Sequence, residues 1–207
     1  MGRHVGKLDT DHELFVFGYA SLVCPESVGS TLGRQIDPRG FAFAELKGWR
    51  REWTVGSDRT SHPERTFIRP DGCEYEGVVA VLGISRIDGE SCDGAAFPVS
   101  RGDLAVLDAR ERNYTRIEVT DVIAWAGKPR NCVVYTYVPS LDAVDRIGLA
   151  LQKGRPVHVR LGYLQLVRAA FSRVGYDAHK PEFVRPPYPV QELRVERSRA
   201  QRRTPEG

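Results

Sequence analysis

Phe15-Val16-Phe17-Gly18-Tyr19-Ala20-Ser21-Leu22 is the stretch whose reading decides the fold. Leu14 to Phe17 is a charge-free run of β-formers and bulky apolar residues, as a buried first strand requires. The run then opens into Gly18, Tyr19, Ala20 and Ser21, followed by Leu22, Val23, Cys24 and Pro25. A strand that passes into small residues leaves backbone N–H groups with little side-chain cover. Such groups suit an anion or a developing oxyanion. The same local sequence also fits an ordinary core strand and its loop.

The second informative stretch is Ser-Arg-Gly-Asp-Leu-Ala-Val-Leu-Asp-Ala-Arg-Glu at 100–111. Ser100 reads as a helix N-cap, with Asp103 three residues on as a short substitute in a capping box. Leu104, Leu107 and Glu111 then fall at i, i+3 and i+7 on one stripe. Glu111 therefore shares the face of two core leucines at the C-terminal end of the helix. Burial and the helix C-terminus both disfavour its anion, which suits a general base working near neutral pH. The competing reading is an ion pair with Arg110, Arg112 or Arg116.

Strands are expected at 41–46, at 49–55 (Trp49 and Trp53 four apart on one face, as core packing), at 66–69, and at 76–84. The last is the most apolar run of the chain. A Gly/Asp/Ser/Cys-rich loop is expected at 85–96. Further strands are expected at 114–124 and 131–138, the latter ended by Pro139. A short helix or turn is expected at 25–33, a weak helix at 141–152 and a stronger one at 158–174, stopped by Gly175. The chain is thus read as a flexible N-terminal arm at 1–12, one domain at 13–190 and a charged, frayed tail at 191–207.

Composition narrows the function. The 207 residues carry 30 basic and 27 acidic side chains, a net charge of +3, and 41% hydrophobic residues. That is ordinary for one soluble globular domain. Arg197, Arg199, Arg202 and Arg203 are mixed with Glu192, Glu196 and Glu206 without a nucleic-acid-binding motif, so no nucleic-acid partner is expected. Cys24, Cys73, Cys92 and Cys132 form no C-x-x-C pair, so no metal is expected. No apolar run reaches the ~18 residues of a membrane span, and residues 1–12 lack the apolar region of a signal peptide. A cytoplasmic protein with reduced thiols and no membrane partner is the expectation.

The two stretches meet in one family. Phe17-Gly18-Tyr19-Ala20-Ser21-Leu22 resembles the Y-G-S-[LN] loop after the first strand of the γ-glutamylcyclotransferase superfamily, and the preceding Phe-Gly resembles its glutathione-degrading branch. Leu107-Asp108-Ala109-Arg110-Glu111-Arg112-Asn113-Tyr114-Thr115-Arg116 is similar to the L-D-x-x-E-x-x-Y-x-R segment. Gly77 to Val81 resembles the G-x-[VL]-[YF]-x-[VL] strand, and Val134 to Val138 the later A-x-x-Y-V strand. Order and spacing agree from about residue 14 to 138; nothing specific matches beyond about 140.

The resemblance implies an α+β fold with a small, mostly antiparallel barrel flanked by helices. It also implies an enzyme without cofactor or metal that cyclises a small-molecule γ-glutamyl substrate. The substrate's own α-amine attacks its γ-carbonyl, giving 5-oxoproline and a released amine or amino acid. Glu111 is implied as the base. Gly18, Tyr19, Ala20, Ser21 and Leu22 are implied as the cradle, with Tyr114 and Arg116 orienting base or substrate. The wall beyond the γ-glutamyl group is expected from 56–65, 85–98 and the C-terminal third. A homodimer is compatible with this reading. The alternatives are a biosynthetic enzyme that deprotects γ-glutamylamines, and a non-catalytic binding module retaining the fold. Ala20 departs from the pattern, which has glycine there. An alanine is costly if that position needs φ > 0, and its methyl narrows the pocket.

Overall fold

A computed structural model describes residues 12–173, Phe183 and residues 185–197. The expected arm at 1–11 and the tail beyond 197 lie outside the described residues. The chain order is β1 (Glu13–Gly18), α1 (Pro25–Leu32), β2 (Ala42–Ser57), β3 (Arg65–Ile68), β4 (Val78–Val99), α2 (Arg101–Arg110), β5 (Tyr114–Glu118), β6 (Ile123–Ala124), β7 (Cys132–Pro139), α3 (Leu141–Gln152), β8 (Val157–Arg160), α4 (Leu161–Arg173), β9 (Val190–Gln191) and β10 (Arg194–Arg197).

One eight-stranded sheet runs β5-β7-β1-β4-β2-β6, with β8 beside β4 and β9 beside β8; β3 and β10 form a separate antiparallel pair. Most pairs are antiparallel, but β1 runs parallel to β7 and β8 parallel to both β4 and β9. This curled sheet with its helices is the expected α+β class. No helix among the described residues is long and apolar enough to cross a membrane.

β1 explains why the run from Leu14 to Phe17 carries no charge. Side chains alternate across a strand, and β1 is buried on both faces. Val16 joins a cluster with Phe97, Leu82, Leu107, Val167 and Phe171 under the helices. Phe15 and Phe17 join Leu46, Ile84, Ile123 and Val134 on the other face. The strand ends where it must. A Cβ on Gly18 would stand 2.7 Å from the backbone carbon of Leu22, because the chain turns back tightly at Ser21–Val23 as one turn of 3₁₀ helix.

The long strands depart from expectation. Residues 41–46 and 49–55 form the single strand β2, which bulges at Gly48 (φ 79°) without breaking. Residues 85–96 are strand, not loop: β4 continues through Asp88-Gly89 and pairs with β2 as far as Ala96. The polar residues there edge an exposed bend, with Gly89 at φ 83° taking up the turn. Trp53 is buried in the first cluster while Trp49 packs on the second, so the two do not share one packing surface. Residues 123–124 form β6 after a 3₁₀ turn at Thr120–Val122, interrupting the strand expected over 114–124.

His158 belongs to β8 rather than to a helix; α4 starts only at Leu161. Parallel pairing to Val78–Ala80 overrides the helical spacing. Part of the expected tail is also ordered: Gln191 pairs in β9, and Arg194–Arg197 lie antiparallel on β3.

Candidate active site

α2 starts and stops as its sequence dictates. The Ser100 hydroxyl accepts from Asp103 N–H at 3.0 Å, and the Asp103 carboxylate accepts from Ser100 N–H at 2.9 Å. Leu104 and Leu107 are buried on the inner face. Glu111 closes the helix as its C-cap, its N–H donating to the Leu107 carbonyl at 2.9 Å. The stripe inferred from spacing thus delivers this carboxylate to the inside of the molecule.

There it faces a cleft of about 1270 Å³ lined by Tyr19, Ala20, Ser21, Leu22, Glu111 and Tyr114, among others. The Glu111 side chain is 12% exposed. Burial raises its pKa, only partly opposed by the charges of Arg110 and Arg65. Glu111 is thus ion-paired, as the competing reading had it, and it also lines the cleft.

The ion pair is with Arg110, Nε to Oε1 at 3.0 Å. The same guanidinium donates to Ser21 Oγ at 3.0 Å, Ser27 Oγ at 2.9 Å, Thr31 Oγ1 at 2.8 Å and the Ser27 carbonyl at 3.1 Å. One side chain ties the 3₁₀ turn, α1 and Glu111 together. Ser21 Oγ and the Glu111 carboxylate are consequently no more than about 8 Å apart, the reach of two hydrogen bonds and one guanidinium. Arg110 escaped the sequence reading except as a partner for Glu111. Its signal was the cluster of hydroxyls at Ser21, Ser27 and Thr31.

The turn itself presents donors. The N–H groups of Val23 and Cys24 donate to the carbonyls of Ala20 and Ser21. Among the described residues no acceptor meets the N–H of Ser21 or Leu22. Beneath, the buried Arg51 donates through Nε to the Tyr19 carbonyl at 2.7 Å and also to the Asp93 carbonyl. Its guanidinium stacks on Phe171 and Phe183, at 4.6 and 5.0 Å from their ring centres. Arg51 fixes the turn from below and was not singled out in the sequence. Ala20 sits at φ −145°, outside the left-handed region, so the φ > 0 that would call for glycine does not arise here.

Of the expected site residues, Tyr19 through Leu22, Glu111 and Tyr114 meet at the cleft. Gly18 does not line it; its role is the close approach of Leu22. The Tyr19 hydroxyl donates to the Tyr137 carbonyl at 2.6 Å, and burial and the Glu111 charge raise its pKa. The Tyr114 hydroxyl donates to the Leu82 carbonyl at 2.9 Å, and Leu82 N–H in turn donates to the Tyr163 hydroxyl at 3.3 Å. These tyrosines serve a stretch of β4 where the β2 register shifts between Glu52 and Val55.

Arg116 is not brought to the cleft. It pairs with Asp108 at 3.0 Å and stacks on the Tyr135 ring at 4.9 Å. The half-exposed Asp108 also accepts from the Tyr137 hydroxyl at 2.9 Å, so Arg116 touches the site only through that relay. The far wall carries His62, Glu64 and Arg65 from the expected 56–65 loop and Arg160, Tyr163, Arg194 and Arg197 from the C-terminal third. Residues 85–98 contribute nothing to the lining, because they run as strand behind it.

The fold has counterparts among solved structures. An uncharacterized protein, loc79017 from Homo sapiens, superposes with a TM-score of 0.52 at 14% identity, covering 92% of this chain and 96% of that one. A gamma-glutamyl cyclotransferase gives 0.49 at 16% identity over 80% and 82% of the two chains. A gamma-glutamyl cyclotransferase specific to glutathione from yeast gives 0.47 at 12% identity over 83% and 94%. No protein-family model and no curated protein matches the sequence. The fold, an α+β half-barrel with its cleft at the end of the first strand, is thus shared with the human protein.

Proposed function

We propose that the protein cyclises γ-glutamyl compounds to 5-oxoproline. The observation that carries this reading is the buried Glu111 carboxylate, held by one guanidinium that also binds the Ser21 hydroxyl, in the cleft that Ser21 and Leu22 line with unengaged N–H groups. An α-amine is mostly an ammonium at neutral pH. Glu111, its pKa raised, takes that proton. The freed amine attacks the γ-carbonyl carbon of the same molecule, forming the lactam C–N bond. The carbonyl oxygen becomes an oxyanion that the two N–H groups stabilise. Collapse breaks the bond to the leaving nitrogen, which receives the proton from Glu111; the ring nitrogen then passes its second proton to the Glu111 carboxylate, and the released amine takes it up to leave as an ammonium. No side chain needs to act as nucleophile, and much of the acceleration comes from holding the substrate folded for ring closure.

The fold's occurrence in a gamma-glutamyl cyclotransferase agrees with this reaction class. Glutathione, a γ-glutamyl amino acid and a γ-glutamylamine are the substrates to separate. The test is 5-oxoproline release from that panel by the wild type and by Glu111→Gln. Release by the wild type with a ~10²–10⁴-fold loss in the variant is expected for removal of a general base. No product from any compound, or full activity in Glu111→Gln, overturns the reading.

A further inference from the structure

We propose that Arg65 and Arg197 form an anion subsite on the far wall of the cleft that takes a carboxylate of the substrate beside Glu111. The subsite rests on the cyclotransferase reading for its substrate, but not for its geometry. Arg65 and Arg197 are direct partners in the antiparallel β3–β10 pair. Direct partners present their side chains on the same face, with Cβ atoms about 4.5–5.5 Å apart, and like charges in that position destabilise the pair. Both residues line the cleft. Two guanidiniums are thus aimed at the same space at a cost to the fold.

Their surroundings compensate that charge only in part, Glu64 making one long ion pair with Arg65. Arg65 Nε is buried without a hydrogen-bond acceptor; the nearest carboxylate oxygen, Glu64 Oε1, stands 3.6 Å away. Glu64 is shared with Arg112 at 3.3 Å. Glu111 is taken by Arg110. Arg197 has no ion pair or hydrogen bond among the described residues, whereas its neighbour Arg194 pairs with Glu196 at 2.7 Å. Two acids therefore face four guanidiniums: Arg65, Arg110, Arg112 and Arg197. His62 adds no charge near neutral pH, since burial lowers its pKa to about 4. Burial depresses the Arg65 pKa and the Arg197 charge adds to this, while Glu64 and Glu111 are close enough to oppose it.

A planar, forked guanidinium matches a carboxylate in shape and charge, and a pair of them binds one in place of water. Two carboxylates of a γ-glutamyl substrate meet the requirement: the α-carboxylate, bonded to the carbon that bears the attacking amine, and a carboxylate on the leaving amino acid. Stray solvated arginines would leave substrate binding indifferent to both residues.

The experiment compares wild type, Arg65→Gln, Arg197→Gln and Arg65→Lys on γ-glutamylglycine and γ-glutamylmethylamide, which differ by the leaving-group carboxylate. Glutarate affinity is measured by calorimetry on the same proteins in a Glu111→Gln background. Each glutamine variant is expected to weaken glutarate binding and to raise KM roughly 10–100-fold, more than it lowers kcat, as for a lost charge-assisted hydrogen bond. Arg65→Lys restores part of both. A KM rise on both substrates assigns the subsite to the α-carboxylate. A rise confined to γ-glutamylglycine assigns it to the leaving group. Unchanged KM and unchanged glutarate affinity overturn the proposal. If the wild type releases no 5-oxoproline, the cyclotransferase reading fails, and glutarate binding alone decides the subsite. Arg197→Gln changes an exposed side chain near the end of a strand, so its result does not depend on refolding of the cleft.

Discussion

On the near wall of the cleft, Arg110 is held by Glu111, Ser21, Ser27 and Thr31, and behind it Arg51 rests on Phe171 and Phe183 while it binds the Tyr19 carbonyl. On the far wall, Arg65 and Arg197 face each other across two strands with too few carboxylates between them. Cations of the same type do opposite work. The first set is consumed in fixing geometry. The second is left available to a ligand. On the proposed reading, the near wall sets which bond is made and the far wall which molecule is held. Charge alone does not mark a binding residue; a guanidinium that lines a cavity without a carboxylate of its own does.

The sharpest way to break this contrast is Arg110→Met. Loss of the bridge frees the Ser21 turn and leaves Glu111 buried without its partner. Activity is expected to fall about 10–100-fold, the scale of a misplaced catalytic group. Arg110 lowers the Glu111 pKa. Its removal therefore moves the acid limb of kcat/KM to higher pH, because Glu111 works only when deprotonated. A pH–rate profile reads both effects, and an unshifted limb contradicts the pairing.

Gly18→Ala comes next. The added methyl meets the Leu22 backbone at 2.7 Å, so a loss of ~1–3 kcal/mol in unfolding free energy is expected. Urea melts check it. An equal stability would mean that the turn yields freely and does not preset the N–H groups.

His62 probes the far wall through pH. Its folded pKa of about 4 lies below the ordinary 6.5. The unfolded chain thus binds more protons in that window, and stability is lost as pH falls from 6.5 towards 4. His62→Gln should remove about 1–3 kcal/mol of that pH dependence, measured by denaturant melts at both pH values. The smallest effect belongs to Arg116→Met. Its ion pair with Asp108 lies away from the cleft, so stability should change by less than ~1 kcal/mol and KM by less than about twofold. A large KM change would restore Arg116 to the site.

The near wall was legible because local rules built it. A charge-free strand ending in Gly18, a capping box at Ser100 and a stripe ending in Glu111 each follow from spacing within a dozen residues. Of the far wall, the contributing segments at 56–65 and in the C-terminal third were legible, but the Arg65–Arg197 pair was not, because the two meet only through a long-range strand pairing that no local pattern encodes. The misread 85–96 segment has the composition of a loop, yet Asp88 and Gly89 serve a bend in a long strand whose outer side meets water. His158 was assigned to a helix because α4 follows β8 with no breaker between Arg160 and Leu161. Arg116 was carried into the site by its place in a motif, and the geometry put Asp108 in its way.

The most direct test is a crystal structure with 5-oxoproline bound. The lactam oxygen is predicted to accept from the N–H groups of Ser21 and Leu22, with the ring N–H directed at the Glu111 carboxylate. A lactam bound away from the turn, or with its nitrogen turned from Glu111, would contradict the assignment of the two as halves of one site.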